Sequence, residues 1–146
     1  MDTIYDFYIA GRARDKEKIL EICAIFDASN VSYYCFLQNE QSHKDAGIDM
    51  NSSPEEIAKI FGQLTLESEA IQTFFRHDME AERQSKNLLL VLPGGKASHI
   101  EAGVAYGLGR KCYAVGTCEG IDTLYLIFEE IFANEQELRT FLQNYR

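Results

Sequence analysis

The sequence contains no apolar run that approaches the roughly 20 residues needed to span a bilayer. Its first residues, MDTIYDF, lack the basic and apolar layout of a secretory signal. Positive charge is scarce as well, because 14 Lys and Arg stand against 23 Asp and Glu, which gives a net charge of −9. Nucleic acid polymers and anionic membranes both require clustered Lys and Arg. We therefore expect a cytoplasmic protein that binds neither of them.

Paired cysteines and metal-ligand clusters are also missing from the sequence. The four cysteines, Cys23, Cys35, Cys112 and Cys118, form no CxxC pair and have no zinc spacing. Three of them lie in apolar segments, where a free thiol behaves as a small hydrophobic side chain. We expect reduced thiols, no metal site and no cofactor.

What is present is an alternation of strands and helices over 146 residues, the length of one ordinary domain. Strands are predicted at residues 4–10, 31–37, 88–92 and 111–115, and helices at 15–28, 53–64, 66–85, 98–108 and 135–144. The segment TLYLIFEEIF fits either a helix or a last strand. We predict one domain over residues 1–146 with an α/β fold: a Rossmann- or flavodoxin-like parallel sheet of four or five strands, with helices on both faces.

Two segments before the central strand bear on function. Helix 66–85 has one apolar face and one mostly charged face, and the apolar positions are Ile71, Phe74, Phe75 and Met79. The polar stretch 38–53, which contains His43 and Asp45, lacks periodicity and is predicted as a long loop. Such a loop serves either as a lid over a site or as a solvated connection.

Two glycine turns fall where parallel sheets bind ligands, beyond the carboxyl ends of strands and near the point where strand order reverses. They are AGRAR after the first strand and PGGKASH after strand 88–92. Both lead into helices, whose N-termini carry unpaired N–H groups and partial positive charge. Arg12, Arg14 and Lys96 add cations there. The pattern predicts a site for an anionic small molecule.

Glu101 follows the second turn and has two interpretations. The segment SHIE fits a capping box, in which Ser98 and Glu101 bond each other's backbone N–H groups. Alternatively, the carboxylate faces a substrate. Gly103 and Gly107 favour the second interpretation, because a glycine inside a helix costs about 1 kcal/mol relative to alanine. Two glycines four residues apart also let another backbone or a ligand come close.

Three segments resemble the nucleoside 2-deoxyribosyltransferase superfamily, which includes 2′-deoxynucleoside 5′-monophosphate N-glycosidases. They are FYIAGRARDKEK, HDMEAERQSKNLLLVLP and GGKASHIEAGVAYGLGRKCYAV, and together they cover roughly residues 4–116. The resemblance implies cleavage of the N-glycosidic bond of a nucleoside or nucleotide, by hydrolysis or by transfer to a second base. It also implies assembly as a homodimer or a higher homo-oligomer.

The resemblance implies a role for each matching residue. Glu101 matches the nucleophile that attacks the anomeric carbon of the sugar. Asp78 matches an aspartate that faces the sugar or base, and is otherwise an exposed charge on an amphipathic helix. Tyr8 matches an aromatic residue that contacts the ligand, and is otherwise a core strand residue. The full predicted substrate-binding set is Tyr8, Gly11, Arg12, Gly94, Gly95, Ser98 and His99.

The sequence departs from the transferase pattern at Gly95, where transferases often have an acid that protonates the leaving base. This departure weakens base exchange and leaves protonation to Asp78, His99 or water. PGG before a helical glutamate also resembles the lysine-decarboxylase-like phosphoribohydrolases, which break the same kind of bond. Two other functions stay open: a nucleotide-binding or sensor module without catalysis, and a plain structural domain.

Overall fold

The computed structural model describes residues 2–49 and 51–145 of the chain. One sheet contains five strands, all parallel, in the order β2-β1-β3-β4-β5. The strands are β1 (Tyr5–Ala10), β2 (Tyr33–Cys35), β3 (Ser85–Val91), β4 (Lys111–Val115) and β5 (Phe128–Phe132). The α-helices are α1 (Lys16–Ala28), α2 (Glu40–Ala46), α3 (Pro54–Gly62), α4 (Glu69–Arg83), α5 (Lys96–Gly107) and α6 (Glu135–Gln143). The predicted α/β fold with a parallel sheet is confirmed.

Strand β3 is central and is covered on both faces, which explains its uninterrupted apolar run. Side chains of a strand alternate between the two faces of the sheet. Leu89 packs in the layer that contains buried residues of α1 and α6. Leu88 and Leu90 pack in the opposite layer, which contains buried residues of α4 and α5. The chain therefore has two hydrophobic layers, one on each side of the sheet.

The strand order reverses between β1 and β3. The chain passes from β1 to β2 at one edge, then returns across β1 to form β3 on its other side. Ala10 at the end of β1 pairs with Leu90 near the end of β3. The two glycine turns that follow these strands consequently lie side by side at the switch point, where such sheets bind ligands.

The segment 38–53 is not the featureless loop that the sequence predicts. A 3-10 turn (Phe36–Gln38) ends β2 early, and α2 follows it. The side chain of Asn39 caps α2 by accepting the N–H of Ser42 at 3.0 Å, and Gly47 closes the helix with φ +75°. A helix this short shows too few turns to reveal a period in the sequence. Met50, part of the predicted loop, lies outside the described residues.

The other helix ends agree better with the sequence. The motif SPEE at residues 53–56 predicts Ser53 as the cap of α3, and Ser53 accepts the N–H of Glu56 at 3.2 Å. Asn134 and Glu137 have the spacing of a capping pair, and Asn134 caps α6 by accepting the N–H of Glu137 at 3.0 Å. The ambiguous segment TLYLIFEEIF contains both kinds of structure, since a 3-10 turn (Thr123–Ile127) leads into the edge strand β5.

The two faces of α4 differ from the predicted ones. Phe75, predicted on the apolar face, is 64% exposed. Glu82, one of the charged residues of this helix, is 1% exposed. The face of α4 that meets the sheet thus carries an acid.

Two expectations from composition can be compared with the structure. Cys23, Cys35 and Cys112 are buried free thiols, and Cys118 is half-buried. Among residues 2–49 and 51–145, no helix has the length and apolar character required to cross a membrane.

Candidate active site

A cleft of about 450 Å³ lies over the carboxyl ends of β1 and β3. Both glycine turns line it, through Gly11 and Arg12 on one side and Gly95 on the other. A Cβ atom added to Gly95 would lie 3.6 Å from Cγ of Arg12, so the two turns touch. The volume is in the range of small-molecule sites. The two turns are brought together as predicted.

The N-terminus of α5 shows whether Glu101 caps this helix. Gly95 is the N-cap residue of this helix. The hydroxyl of Ser98 accepts the N–H of Gly95 at 2.8 Å and donates to the carbonyl of Gly95 at 3.0 Å. The predicted capping box, with Ser98 as the cap and Glu101 as its partner, is therefore wrong by three residues. Glu101 lies one turn further along and has no capping role, so its carboxylate is available to the cleft.

The carboxylate of Glu101 lines the cleft and accepts a hydrogen bond from the hydroxyl of Tyr8. Burial raises the pKa of Glu101 to about 7; the hydrogen bond from Tyr8 lowers it and the charge of Asp78 raises it. Burial and the charge of Glu101 hold the pKa of Tyr8 well above its usual range, so the phenol stays a donor. Tyr8 is 1% exposed and does not itself line the cleft. Its hydroxyl is therefore linked to the cleft through Glu101.

Asp78 on α4 is the second carboxylate of the cleft. The hydroxyl of Tyr34 donates to its Oδ1 at 3.2 Å, and Asn39 in turn donates to the Tyr34 hydroxyl at 2.8 Å. The ring of Tyr34 stacks on that of Tyr8, with 5.3 Å between centroids. Burial raises the pKa of Asp78 to about 6, against the hydrogen bond from Tyr34 and the charge of His77, which lower it. The interpretation of Asp78 as an exposed charge is wrong.

A third carboxyl group, Glu82, was missed at the sequence level. It lies four residues after Asp78, hence on the same face of α4. Burial raises the pKa of Glu82 to about 8, with further contributions from the charges of Glu101 and Asp78. Neither of its carboxylate oxygens has a hydrogen-bond partner within the described part of the chain. The spacing of Asp78 and Glu82 in HDMEAER was the available signal.

Three basic side chains also line the cleft. Arg12 forms a bidentate ion pair with Asp15, in which the closest N···O distance is 2.6 Å. Arg14 and Lys96 also line the cleft, and neither has an ion-pair partner in residues 2–49 and 51–145. Lys96 is the first residue of α5, so its ammonium group adds to the partial positive charge of that helix end. These cations suit an anionic group.

One wall of the cleft is apolar and comes from α3, α4 and the turn after β2. Its members are Phe36, Leu37, Pro54, Ile57, Ala58, Phe61 and Phe74. His43 of α2 also lines this wall, with its Nδ1 2.9 Å from the carbonyl of Asn39 and its ring edge-on to Phe74. The segment 38–53 thus contributes one side chain, His43, to the lining of the cleft, and its role as a lid stays a prediction.

Three predicted substrate-binding residues do not line the cleft: Tyr8, described above, Gly94 and His99. His99 is engaged at both ring nitrogens, with Nδ1 2.8 Å from the carbonyl of Gly95 and Nε2 2.7 Å from the hydroxyl of Tyr125. Gly94 has φ +68°, and an added Cβ atom would approach Ser98 Oγ to 2.9 Å, so it is required by the turn. Ser98 lines the cleft, but its hydroxyl is occupied by the backbone of Gly95. The ring nitrogens of His99 and the hydroxyl of Ser98 are used in hydrogen bonds within the chain, and Gly94 is required by the turn. None of these three therefore offers a free group to a ligand.

Gly103 and Gly107 do not admit another part of this chain. No heavy atom among the described residues lies within 4 Å of a Cβ atom built on either glycine. Both face away from the cleft, and they leave the outer surface of α5 open.

A larger and more open depression of about 1160 Å³ lies at the amino ends of the strands, between Lys86, Lys111 and Thr140. Ligand sites of open parallel sheets lie at the carboxyl ends. The carboxyl groups of Asp78 and Glu101 also lie at the carboxyl ends, so the cleft that they line is the stronger candidate for a ligand site.

No group of three or more His, Cys, Asp or Glu side chains within the described residues has the geometry to hold a metal ion. The three carboxyl groups of Asp78, Glu82 and Glu101 therefore share an electrostatic environment without forming a metal cage. In comparisons with known proteins, no family model matches the chain and no curated protein matches it significantly. The functional conclusion therefore depends on the geometry of the cleft.

Proposed function

We propose that this protein hydrolyses the N-glycosidic bond of a nucleoside 5′-monophosphate, with Glu101 as the nucleophile. One observation carries the proposal: the carboxylate of Glu101, free of any capping role, lines the cleft beside Asp78 and is held by Tyr8. A nucleophile needs a fixed position and a partly ionised state near neutral pH, and the pKa of about 7 for Glu101 meets the second condition.

The two carboxyl groups divide the chemistry between them. An oxygen of Glu101 attacks the anomeric carbon C1′, and the electron pair of the C1′–N bond leaves with the base. Asp78 supplies the proton that the departing base nitrogen takes up. Because the pKa of Asp78, about 6, is below that of Glu101, about 7, the two carboxyl groups share one proton and react from the form that places it on Asp78. Water then attacks C1′ of the glycosyl ester, transfers its proton to Asp78 and releases Glu101 as a carboxylate.

The cations and the apolar wall support a nucleotide as the substrate. Arg14, Lys96 and the N-terminus of α5 suit a phosphate group. Phe61 and Phe74, with ring centroids 5.5 Å apart, offer aromatic surface to a base. Gly95 brings no acid to the cleft, and Ser98 has its hydroxyl occupied. Both features favour water over a second base as the acceptor.

The direct test is a panel of ribo- and deoxyribonucleosides, with and without a 5′-phosphate, assayed for free base by chromatography. We expect base from the monophosphates, and a decrease of about 10⁴-fold or more in kcat for Glu101→Gln. Asp78→Asn should lower kcat by about 10²- to 10⁴-fold. Glu80→Gln, on the exposed side of α4, is the matched control and should retain full activity.

Two outcomes would contradict the proposal. Equal base release by the wild type and by Glu101→Gln would remove Glu101 from the chemistry. Tight nucleotide binding without turnover, unaffected by Glu101→Gln, would identify a binding or sensor module instead. Replacing Arg14 and Lys96 by alanine separates the substrate class from the chemistry, since it should raise KM for monophosphates and leave nucleosides unchanged.

Self-association is a second part of the proposal. The outer face of α5 and the turn Thr123–Ile127 lie side by side, joined by the bond between His99 and Tyr125. They expose large apolar side chains: Ile100 at 65%, Tyr106 at 57%, Leu124 at 73% and Leu126 at 90%. Homo-oligomers bury such surfaces. A second copy of this chain should cover the face, and sedimentation equilibrium of Leu126→Asp against the wild type tests this.

A further inference from the structure

The proposed chemistry leaves the side chain of Glu82 without a task. It is 1% exposed, and neither of its oxygens has a hydrogen-bond partner in residues 2–49 and 51–145. A buried polar group without a partner costs about 1–3 kcal/mol, and more when it is charged. An apolar residue would fill the same space without that cost. The presence of an acid here calls for a functional explanation.

The titratable groups that face Glu82 come from every element around it. Asp78 is one turn earlier on α4, and Glu101 is on the neighbouring helix α5. The phenol of Tyr8 on β1 and the thiol of Cys112 on β4 both interact with its charge. Cys112 directs its Sγ to the carbonyl of Ala102 at 3.5 Å and Tyr8 donates to Glu101, so neither serves as a partner of Glu82.

The surroundings make these charges interact strongly. Ala81, Ala102 and Ala105 pack in the same apolar layer, and each is at most 4% exposed. In such a setting like charges repel over a longer range than in water. No cation forms an ion pair with Asp78, Glu82 or Glu101 among the described residues. The three acids therefore compete for ionisation.

We propose that Glu82 is a positioning residue of the active site: a buried acid whose protonation is coupled to that of Asp78 and Glu101, and which thereby sets the pH range in which Asp78 and Glu101 hold one proton between them. The inference adds to the proposed function and depends on it for its catalytic meaning. Its electrostatic content does not depend on turnover.

The direction of the effect follows from charge repulsion. When Glu82 is replaced by glutamine, the cluster loses one possible negative charge at nearly constant volume. The remaining carboxyl groups then ionise more easily, so their titration midpoints move to lower pH. For groups coupled this closely we expect a displacement of about one pH unit.

The first test is a carboxyl ¹³C NMR titration of the free protein, which needs no substrate. We expect three carboxyl groups of the wild type to titrate well above the ordinary range. In Glu82→Gln only two should remain, both at lower pH than before, whereas Glu80→Gln should change neither. Unchanged midpoints for Asp78 and Glu101 in Glu82→Gln would overturn the inference.

Glu101→Gln provides a second test of the coupling in case Glu82→Gln does not fold. Coupling between two sites acts equally in both directions. Glu101→Gln must therefore lower the midpoint of Glu82 by as much as Glu82→Gln lowers that of Glu101. A Glu82 midpoint that does not move in Glu101→Gln would refute the coupling by itself.

The catalytic part is measured by the pH profile of kcat/KM. In Glu82→Gln both limbs of the profile should move toward acid by the displacement seen in the NMR titration. A merely structural Glu82 would change stability and leave both limbs in place. If the midpoints move but no substrate in the panel is turned over, the coupling stands and the proposed reaction fails, so the two failures are distinguishable.

Discussion

Replacing Glu101 by glutamine should stabilise the protein at high pH while it abolishes the proposed activity. The amide oxygen of glutamine can still accept the hydrogen bond from Tyr8, and the side chain has nearly the same volume. What the variant loses is a carboxylate that ionises in a buried position. This perturbation therefore isolates the cost of the charge.

The magnitude follows from the displaced pKa. Burial raises the pKa of Glu101 from 4.5 to about 7, so the folded protein binds this proton more tightly than the unfolded chain. The unfolding free energy then falls as the pH rises from about 4.5 to about 7, and it stays lower above that pH. The difference corresponds to about 3 kcal/mol at about 1.4 kcal/mol per pH unit. Since one edge of the carboxylate faces the open cleft, we expect about 2 kcal/mol.

Urea denaturation at pH 5 and at pH 9 provides the measurement. The gain of Glu101→Gln over the wild type should be small at pH 5 and about 2 kcal/mol at pH 9. Glu80→Gln removes the same charge from an exposed position on α4, and it accounts for the general repulsion in a protein of net charge −9. An identical difference between Glu101→Gln and the wild type at the two pH values would refute the buried ionisation of Glu101. The m-values should agree, which shows that the same surface is exposed on unfolding.

Three further predictions concern the residues around the carboxyl groups. Tyr8→Phe removes the hydrogen bond that lowers the pKa of Glu101, so the acidic limb of kcat/KM should move to higher pH; an unchanged limb would show that Tyr8 does not hold the carboxylate. Phe61→Ala should raise KM for a nucleotide about tenfold through lost contact with the base, whereas Phe75→Ala, at a position that is 64% exposed, should leave it unchanged; equal effects would exclude Phe61 from the site. Ser98→Ala should cost about 1 kcal/mol in urea denaturation, because the N–H of Gly95 loses its acceptor; no loss of stability would contradict the helix cap described above.

The sequence was sufficient to predict the fold class and the side-by-side position of the two glycine turns. Apolar runs such as Leu88–Leu92 reflect burial on both faces of a sheet, and this property is visible without coordinates. The position of the glycine turns after two adjacent strands follows from parallel topology, which fixes the end at which a ligand binds. Both inferences depend on repeated patterns and tolerate errors of a few residues at element boundaries.

The details of the site were harder to predict because they depend on single residues. SHIE matches a capping box, yet the helix begins earlier, at Lys96, because Gly95 takes the cap position and Ser98 reaches back to it. A pattern of two residues cannot distinguish these frames, since both satisfy the same backbone groups. His99 was a candidate acid on the basis of its chemistry alone. Its bond to Tyr125 joins residues 26 positions apart, a contact that only the tertiary structure reveals.

Glu82 shows most clearly why charge in a sequence does not determine exposure. Helix α4 carries eight residues from Arg76 to Arg83 of which most are charged or polar, and an amphipathic interpretation assigns them to solvent. Glu82 nevertheless faces the sheet, because it lies on the same inner side of α4 as Asp78 and Ala81. A fold selected for stability alone would place an apolar residue at that position, since a buried acid without a partner lowers stability. A buried Glu82 next to Asp78 and Glu101 is expected in a site where the ionisation of each carboxyl group depends on the others. The stability that burying Glu82 costs is then tied to the chemistry proposed for Glu101.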